Sequence, residues 1–355
     1  MLSHHDDFGR VADYDNLYLA FRDCMRGVSW KESVQRYYSN ALRNIMEIHR
    51  KLLDGETLRG GFVEFTIRER GKTRNIKSIH ISERVLQKCL CDQVLTPVLS
   101  RSLIYDNGAC LKGKGVHFAI RRFILHLTKF HRKNKSHDGY ALQIDFAKYF
   151  DNVDHEILFE MIDSRIGDSR VREVTREFVG AFGDGRSLGM GSQISQIAAV
   201  FYPDRLDHFI KEVLRVKYYG RYMDDLYLIH ESKAYLEACL DRITSFCDLL
   251  KITLNAKKTR ITRLSQGVVF LKGKYTLLPS GKVLRSPLKD STKRMRTKLV
   301  KFREFIAARK MGYEDLSISY RSWRGNYMRR FDAYHRIRHM DRLYNDLFLN
   351  THRGT

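Results

Sequence analysis

The sequence predicts a mixed chain of the α/β (α+β) class, in which short strand pairs alternate with amphipathic helices. Apolar residues recur at helical spacing through residues 10–54 and alternate with polar residues through 61–79, while 217–230 is rich in residues that favour strands. The basic stretch 292–310 is also helical in pattern, with its apolar residues on one face. With 43% hydrophobic residues, 4 prolines and no low-complexity tract in 355 residues, the chain should fold throughout.

Helix and strand signals follow one another in the first part of the chain. The helical pattern of 10–54 ends at Gly55, and glycine commonly terminates helices. Residues 61–79 are typical of two strands joined by a loop that contains glycine. Helical spacing returns at 82–100 and again at 115–131.

The middle of the chain mixes strands and helices. Pro203, inside the helical stretch 193–214, should kink the helix, because an interior proline costs about 3 kcal/mol. Two strand-like arms flank Met223, Asp224 and Asp225, which predicts a hairpin with acidic residues at its tip. The other predicted elements are a strand at 140–147, helices at 155–166 and 233–251, and a hairpin at 268–285 that turns at 279–281.

The charge of the chain is strongly positive. Lysine and arginine outnumber aspartate and glutamate by 64 to 41, which gives a net charge of +23 at pH 7. From Lys282 to the C-terminus the two counts are 19 and 7, so about half of the excess lies in the last fifth of the chain. Such a protein binds polyanions by releasing their counterions, and nucleic acid is the commonest polyanion in the cytosol. The alternative is a basic surface that only keeps the protein soluble.

Nothing in the sequence predicts export or membrane insertion. No run of eighteen or more apolar residues occurs, and the first ten residues lack the layout of a secretory signal. The six cysteines show no C-x2-C spacing that would indicate a zinc site. We therefore expect a cytoplasmic protein with reduced cysteines and no membrane partner.

Three aspartates are candidates for a metal site. Asp145 ends an apolar strand, and Asp224 and Asp225 lie between two apolar strands. Adjacent carboxylates repel each other unless a cation lies between them. Magnesium prefers oxygen ligands and retains positions for water and substrate phosphates, so this pattern favours phosphoryl transfer. The alternative for the adjacent pair is an acidic turn that is simply solvated.

Five strings, in order, carry a family resemblance: QIDFAKYFDNVDH, SLGMGSQISQ, YMDDLYLI, LNAKKTR and VVFLKGKY. They resemble the successive palm motifs of reverse transcriptases, and YMDD in a hairpin is the most specific of them. YDNGACLKGKGVHFAI at 105–120 resembles the fingers segment of standalone bacterial reverse transcriptases, particularly those of diversity-generating retroelements and of defence-associated enzymes similar to retron and group II intron enzymes. SYRSWRGNYMRR at 319–330 resembles a thumb motif of these enzymes, so the resemblance covers about 62–330.

The resemblance implies a catalytic role for the acids. Asp145, Asp224 and Asp225 would hold two Mg²⁺ ions, with help from the backbone carbonyl of Phe146. One ion would lower the pKa of a primer 3′-hydroxyl, and the other would steady the leaving pyrophosphate. Phe150 stands where the family has an aromatic gate against a ribose 2′-hydroxyl, and the alternative is plain core packing.

Basic residues are implied in nucleotide binding. Lys72 and Arg74, in GKTRNI, would grip the triphosphate, although a basic turn outside this family is usually just solvated. Lys257 or Lys258 would protonate the pyrophosphate, and the sequence does not choose between them.

The loop over the incoming base departs from the common family pattern. Met190 and Gly191 stand where many reverse transcriptases have Gln-Gly, and Gln196 follows in the same nucleotide-binding motif. Diversity-generating enzymes likewise have an apolar residue there. A thioether cannot hydrogen-bond as an amide does, so we expect looser nucleotide positioning, with lowered fidelity or unusual templating.

The resemblance implies a right-hand polymerase with fingers, an α/β palm built on an antiparallel sheet, and a helical thumb. We expect an N-terminal helical extension at 1–54, fingers at 55–139, a palm at 140–284 with fingers elements near 165–192, and a basic thumb at 285–355. The thumb residues expected to contact nucleic acid are Lys293, Arg294, Lys298 and Lys301.

The expected activity is that of an RNA-directed DNA polymerase. Its partners would be an RNA template, a DNA product paired with it as a hybrid, and a dedicated noncoding RNA, in antiphage defence or diversification. An accessory protein or a second copy of the chain is also conceivable. No endonuclease or maturase-type extension follows the thumb, which argues against a mobile intron protein. The alternatives are untemplated or protein-primed DNA synthesis, and a nonenzymatic RNA-binding or splicing cofactor, against which the intact acids argue.

Overall fold

A computed structural model describes residues 5–69 and 72–349. Its helices are α1 (Phe8–Ala12), α2 (Tyr14–Met25), α3 (Glu32–Ser39), α4 (Ala41–Asp54), α5 (Ile81–Leu90), α6 (Thr96–Leu99), α7 (Val116–Asn134), α8 (Tyr149–Asn152), α9 (His155–Asp163), α10 (Ser169–Gly180), α11 (Gln193–Phe201), α12 (Asp204–His208), α13 (Lys233–Leu249), α14 (Lys289–Ala307), α15 (Tyr313–Arg330) and α16 (Tyr334–Phe348). Its strands are β1 (Phe62–Glu69), β2 (Lys72–Ile79), β3 (Tyr140–Asp145), β4 (Tyr218–Tyr222), β5 (Asp225–His230), β6 (Arg260–Arg263), β7 (Val268–Phe270), β8 (Gly273–Leu277) and β9 (Val283–Pro287).

Within the described part of the chain, the strands form three sheets. β1 and β2 pair antiparallel along their whole length, from Phe62 opposite Ile79 to Glu69 opposite Lys72. The second sheet has the order β4-β5-β3-β6, so β3 and β5 are hydrogen-bonded neighbours. The third is the antiparallel sheet β7-β8-β9. The predicted class, helices combined with antiparallel sheets, is confirmed.

Local sequence explains where several helices begin and end. Gly55 follows α4 with φ 70°, a left-handed conformation that glycine adopts without strain. The Asp154 side chain accepts a hydrogen bond from the Ile157 N–H and begins α9. The Asp168 side chain accepts from two amides of the first turn of α10. These caps satisfy backbone groups that have no partner inside the helix.

By its internal contacts the chain divides into two compact units. The first comprises Met1–Ala119, Ile144–Tyr227 and Glu237–Arg260, and the second comprises Ile120–Gln143, Leu228–Leu236 and Ile261–Thr355. The expected boundaries of fingers, palm and thumb stay predictions. Within residues 5–69 and 72–349, no helix combines the length and the apolar character needed to cross a bilayer.

The apolar stripe predicted for 292–310 packs as expected within the second unit. Met295 and Leu299 of α14 are buried with Leu316 of α15 and Met340 of α16. Phe302 and Ile306, on the same face of α14, pack against this cluster. The stripe therefore holds the three helices together.

Two elements differ from the sequence prediction. The helical stretch 193–214 is not one kinked helix, since α11 ends before Pro203 and a new helix, α12, begins after it and continues into a π-helical turn at Phe209–Val213. The region 268–285 has three strands, because the chain also turns between β7 and β8 at Leu271 and Lys272, whose φ values are 45° and 65°. Neither residue type is favoured in such a turn, so local sequence did not indicate it.

A buried ion pair fixes β4 against α12. The Arg221 guanidinium in β4 contacts the Asp207 carboxylate in α12, with Nη2 to Oδ2 at 2.6 Å and Nε to Oδ1 at 2.9 Å, and both side chains are fully buried. Arg221 also donates to the Val200 carbonyl at 2.8 Å and to the Met223 carbonyl at 3.2 Å. Met223 lies in the turn between β4 and β5, so the ion pair supports that turn.

Removing one member of this pair should destabilise the protein strongly. We expect Arg221→Met, which leaves the Asp207 charge buried without its partner, to lower the free energy of unfolding by about 3–5 kcal/mol. The double variant Arg221→Met with Asp207→Leu should lose much less than the sum of the single changes. Urea unfolding measures each value.

A matched control is the solvent-accessible pair of Arg205 and Glu160, whose Nη2 and Oε1 atoms are 2.8 Å apart. Arg205→Met should lower the free energy of unfolding by about 1 kcal/mol or less. Additive losses at Arg221 and Asp207 would contradict the role of the buried pair.

Candidate active site

Three aspartates lie at neighbouring strand ends. Asp145 is the last residue of β3 and is buried, while Asp225 is the first residue of the adjacent strand β5. The Phe146 N–H donates to the Asp224 carbonyl, with N and O 3.2 Å apart. This bond ties the end of β3 to the turn before β5, within the first compact unit.

Met223 and Asp224 form the turn between β4 and β5. Met223 has φ 55°, a left-handed conformation that costs a non-glycine residue roughly 1–2 kcal/mol. The hydrogen bond from Arg221 to the Met223 carbonyl helps to hold it there. The turn leaves the side chains of Asp224 and Asp225 half-buried at the end of the sheet.

Asp145 has two side-chain partners from the segment after α13. Lys258 Nζ lies 2.6 Å from Asp145 Oδ2, and Asn255 Nδ2 donates to Asp145 Oδ1 at 3.0 Å. The Asn255 N–H also donates to the Asp145 carbonyl at 2.7 Å. Asn255 was missed by the sequence analysis, although it lies in the quoted string LNAKKTR. No local sequence signal pairs Asn255 with Asp145, which lies 110 positions earlier in the chain.

The three carboxyl groups interact electrostatically. Burial raises the pKa of Asp225 to about 7, helped by the charges of Asp224 and Asp145 and by a hydrogen bond with Asp145. Partial desolvation acts to lower the pKa of Lys258, but its hydrogen bond to Asp145 and the charges of the carboxylates outweigh this and raise it. Lys258 is thus the cation that offsets the acidic cluster.

The donor atoms suit a hard divalent cation. Asp145, Asp224 and Asp225 offer only oxygen ligands, which Mg²⁺ prefers, and their mutual repulsion favours a bound cation. Within residues 5–69 and 72–349, however, no three His, Cys, Asp or Glu side chains are already arranged to hold a metal ion. Lys258 and Asn255 bond to Asp145 instead. The residues therefore fit a divalent cation by chemistry, and metal binding requires Asp145 to exchange partners.

Phe150 and the loop that contains Met190 are joined by a backbone hydrogen bond. Phe150 is half-buried, and its ring meets Tyr149 edge-on at 6.0 Å between centroids. Its carbonyl accepts from the Leu188 N–H at 2.8 Å. The loop needs glycine at two positions: Gly189 has φ 63° and faces the Phe182 ring, and Gly191 has φ 114°.

The other residues predicted to bind nucleotide lie in this unit as well. Backbone register places Arg74 opposite Ile67, near the turn of the β1–β2 hairpin, while the side chains of Lys72 and Arg74 lie outside the described part of the structure. Lys257 and Gln196 are exposed, and Gln196 lines a cleft with Gly191.

The four predicted nucleic-acid-binding residues lie on α14 in the second unit. Lys293, Arg294, Lys298 and Lys301 are all exposed. Lys298 Nζ donates to Ser319 Oγ at 2.8 Å and lies 4.9 Å from the centre of the Phe302 ring. All four side chains are accessible to a phosphate backbone.

Comparison with known proteins identifies the family. Residues 66–316 match the family described as reverse transcriptase (RNA-dependent DNA polymerase). The chain is 23% identical over 242 residues to protein YkfC of Escherichia coli (strain K12), which covers 57% of this chain and 62% of YkfC.

Solved structures of telomerase are also similar. Apo telomerase from Candida tropicalis, truncated from its C-terminal domain, has a TM-score of 0.49 at 15% identity and covers 63% of this chain and 55% of its own. Telomerase from Candida albicans, in complex with a fragment of telomeric RNA, has a TM-score of 0.48 at 12% identity, covering 68% and 48%.

The chain thus spans about three fifths of the length of YkfC and about half that of the telomerases. The resemblance to reverse transcriptases is confirmed, whereas the standalone bacterial subtype stays a prediction. Because the family match covers most of the chain, from the β1–β2 hairpin to α15, the protein belongs to the reverse transcriptase family.

Proposed function

We propose that this protein is an RNA-directed DNA polymerase, a nucleotidyltransferase that extends a DNA strand from deoxynucleotides on an RNA template. The observation that carries the proposal is the meeting of Asp145 with Asp224 and Asp225 at neighbouring strand ends. Membership of the reverse transcriptase family supports the same activity.

The acids are proposed to hold the metal ions of the reaction. Asp145, Asp224 and Asp225, together with the Phe146 carbonyl, would hold two Mg²⁺ ions. Such ions, when bound, lower the pKa of a primer hydroxyl and stabilise a leaving pyrophosphate. Asn255 would keep Asp145 oriented while Lys258 leaves it, because Asn255 bonds both the side chain and the carbonyl of Asp145.

Lys258 is proposed to supply a proton to the leaving pyrophosphate. Its 2.6 Å contact with Asp145 places the ammonium at the acidic cluster. Lys257 and Lys258 are both exposed. The contact with Asp145 therefore favours Lys258 over Lys257 as the proton donor.

Nucleotide selection is proposed for the loop and the residues tied to it. Phe150 would exclude a ribose 2′-hydroxyl, and its backbone bond to Leu188 keeps it beside the loop of Met190 and Gly191. Lys72 and Arg74 would bind the triphosphate. Fixed cations over transferring phosphates stabilise the charge that develops in the transition state.

Nucleic-acid binding is proposed for the exposed lysines and arginine of α14. A polymerase must accept any sequence, so recognition of the hybrid should depend on backbone and shape. The net charge of +23 supports attraction of a polyanion over distance.

Replacing the hairpin acids tests the catalytic site. Asp224→Asn with Asp225→Asn should reduce DNA synthesis by about 10³-fold or more, since neutral amides bind divalent cations much more weakly than carboxylates do. Primer extension on an RNA template with labelled deoxynucleotides gives the rate, and RNA binding should be unchanged. Asp248→Asn, an exposed acid on α13, is the control and should leave the rate unchanged.

Two results would contradict the proposal. Persistent synthesis in the double variant would exclude these acids as the catalytic site. Equal synthesis by the wild type without template would indicate untemplated or protein-primed polymerisation instead.

Neighbouring lysines offer a matched pair for the proton donor. Lys258→Arg keeps a cation beside Asp145 but donates a proton poorly, so kcat should fall by about 10²-fold while the KM for deoxynucleotide changes little. Lys257→Arg should leave both constants close to those of the wild type. Single-nucleotide extension measures them, and an equal loss of kcat in both variants would refute the assignment to Lys258.

We also propose a dedicated noncoding RNA as template, in antiphage defence or in targeted diversification. The basic surface and the family support an RNA partner and leave its identity open. Expression with native flanking DNA, followed by extraction and sequencing of copurifying nucleic acid, should yield one predominant structured RNA. Recovery of only a random mixture of cellular RNA would contradict a dedicated template.

A further inference from the structure

A chain of buried polar groups joins the loop after Gly189 to the base of the β1–β2 hairpin. The Ser192 hydroxyl donates to Gln87 Oε1 at 2.6 Å, and Gln87 Nε2 donates to Glu83 Oε1 at 3.2 Å. Glu83 Oε2 accepts from the Gly60 N–H at 3.3 Å. The side chains of Glu83, Gln87 and Ser192 are each no more than 2% exposed.

A second polar link runs beside the first. Gln193 Nε2 donates to Asp92 Oδ1 at 3.2 Å, and Lys88 bonds to the same carboxylate. Consecutive loop residues, Ser192 and Gln193, are thus each attached to the helical segment that begins as α5. These two hydrogen bonds fix the position of the loop relative to this helical segment. Helix α11 begins at Gln193, and Ser192 is its N-cap.

The loop also lies close to the β1–β2 hairpin. A side-chain carbon at Gly191 would come within 4 Å of the Lys77 carbonyl and of the Ile76 side chain in β2. The polar chain reaches the same hairpin at its other strand, through Gly60 just before β1. Side chains of α5 therefore hydrogen-bond both to the loop, at Ser192, and to the base of the hairpin, at Gly60.

A cleft of about 320 Å³ lies between the loop and the helix. Arg84, Gln87 and Lys88 of α5 form one side, and Gly191, Gln193 and Gln196 form the other. Any shift of the loop relative to α5 changes the width of this cleft.

Removal of any one hydrogen-bonding group should weaken the whole polar chain. A buried group that loses its hydrogen-bond partner bears its full desolvation penalty, whereas a fully satisfied network rigidifies its surroundings. Ser192 accepts from the Ser195 N–H while it donates to Gln87, so its hydroxyl has a defined direction. Few loop positions satisfy these requirements together.

We propose that the polar chain Gly60–Glu83–Gln87–Ser192, whose three side chains are buried, positions the Met190–Gly191 loop against the β1–β2 hairpin and thereby determines how strictly the polymerase selects its incoming nucleotide. This rests on the proposed function, in which that loop faces the nucleotide. Glu83, Gln87 and Ser192 act as positioning residues, since each is no more than 2% exposed.

The kinetics of two variants test whether the polar chain affects nucleotide selection. Gln87→Met and Ser192→Ala should each raise the KM for a correct deoxynucleotide and the misincorporation frequency by about tenfold, with kcat within about twofold of wild type. The double variant should be no worse than either single variant, because each breaks the same chain. Single-nucleotide extension with correct and incorrect deoxynucleotides gives all three values.

Gln93→Met is the matched control. Gln93 lies in the same helical segment and is also hydrogen-bonded, but to Arg10 in α1 rather than to the loop. It should lose stability without a change in nucleotide KM or misincorporation. Equal kinetic effects in Gln87→Met and Gln93→Met, or unchanged KM and misincorporation in Gln87→Met, would overturn the inference.

Amide hydrogen exchange tests whether the polar chain holds the loop and the hairpin, and it does not require polymerase activity. Amides of 188–196 and of 60–62 should exchange faster in both Gln87→Met and Ser192→Ala than in Gln93→Met. Unchanged exchange in either segment would overturn the proposed coupling. A wild type without polymerase activity would refute the proposed function alone, since exchange still decides the coupling.

Discussion

The repulsion among three carboxylates at adjoining strand ends is the constraint on which the rest of the site depends. Asp145, Asp224 and Asp225 approach closely enough for burial and neighbouring charge to raise the pKa of Asp225 to about 7. Left alone, such charges would push the end of β3 away from the turn before β5. Neighbouring groups oppose this: the backbone bond from Phe146 to Asp224 and the ammonium of Lys258. A divalent cation would relieve the remaining repulsion.

The acids are held in place by a series of contacts that runs from the turn at Met223 to Arg221 and then to Asp207. The left-handed residue Met223 sets the turn, and its carbonyl receives a hydrogen bond from Arg221, whose charge is balanced by Asp207. A desolvated ion pair of this kind adds little net stability but is costly to break. Its value here is geometric, because it allows the turn only a narrow range of positions. The loop that contains Met190 and Gly191 belongs to no strand and depends on the hydrogen bonds of Ser192 and Gln193 instead.

The sequence pattern predicted the elements whose structure depends on residues that lie close together in the chain. The strand-rich arms around YMDD, the helix end at Gly55 and the apolar stripe of α14 all follow from neighbours within a few residues. Long-range polar pairs were not predictable in this way. Ser192 and Gln87 are 105 positions apart, and nothing in the periodicity around either residue indicates the other. Asn255 was missed for a similar reason, since its partner Asp145 lies 110 positions away. The turn at Leu271 and Lys272 was not predicted, because neither residue type favours the left-handed conformation that both adopt.

The positive charge of the chain and the acidity of its site act over different distances. A net charge of +23 attracts a polyanion, but salt limits each surface charge to a range of about 8–10 Å. Excess lysine and arginine elsewhere therefore cannot neutralise Asp145 and its neighbours. Only cations in direct contact can do so, and Lys258 is one. In the proposed function, overall charge would attract nucleic acid from a distance, while the balance between Lys258 and divalent cations would decide whether phosphates can approach the acids. Both would be needed, because the phosphates of the proposed substrate and the carboxylates of the site are all negative.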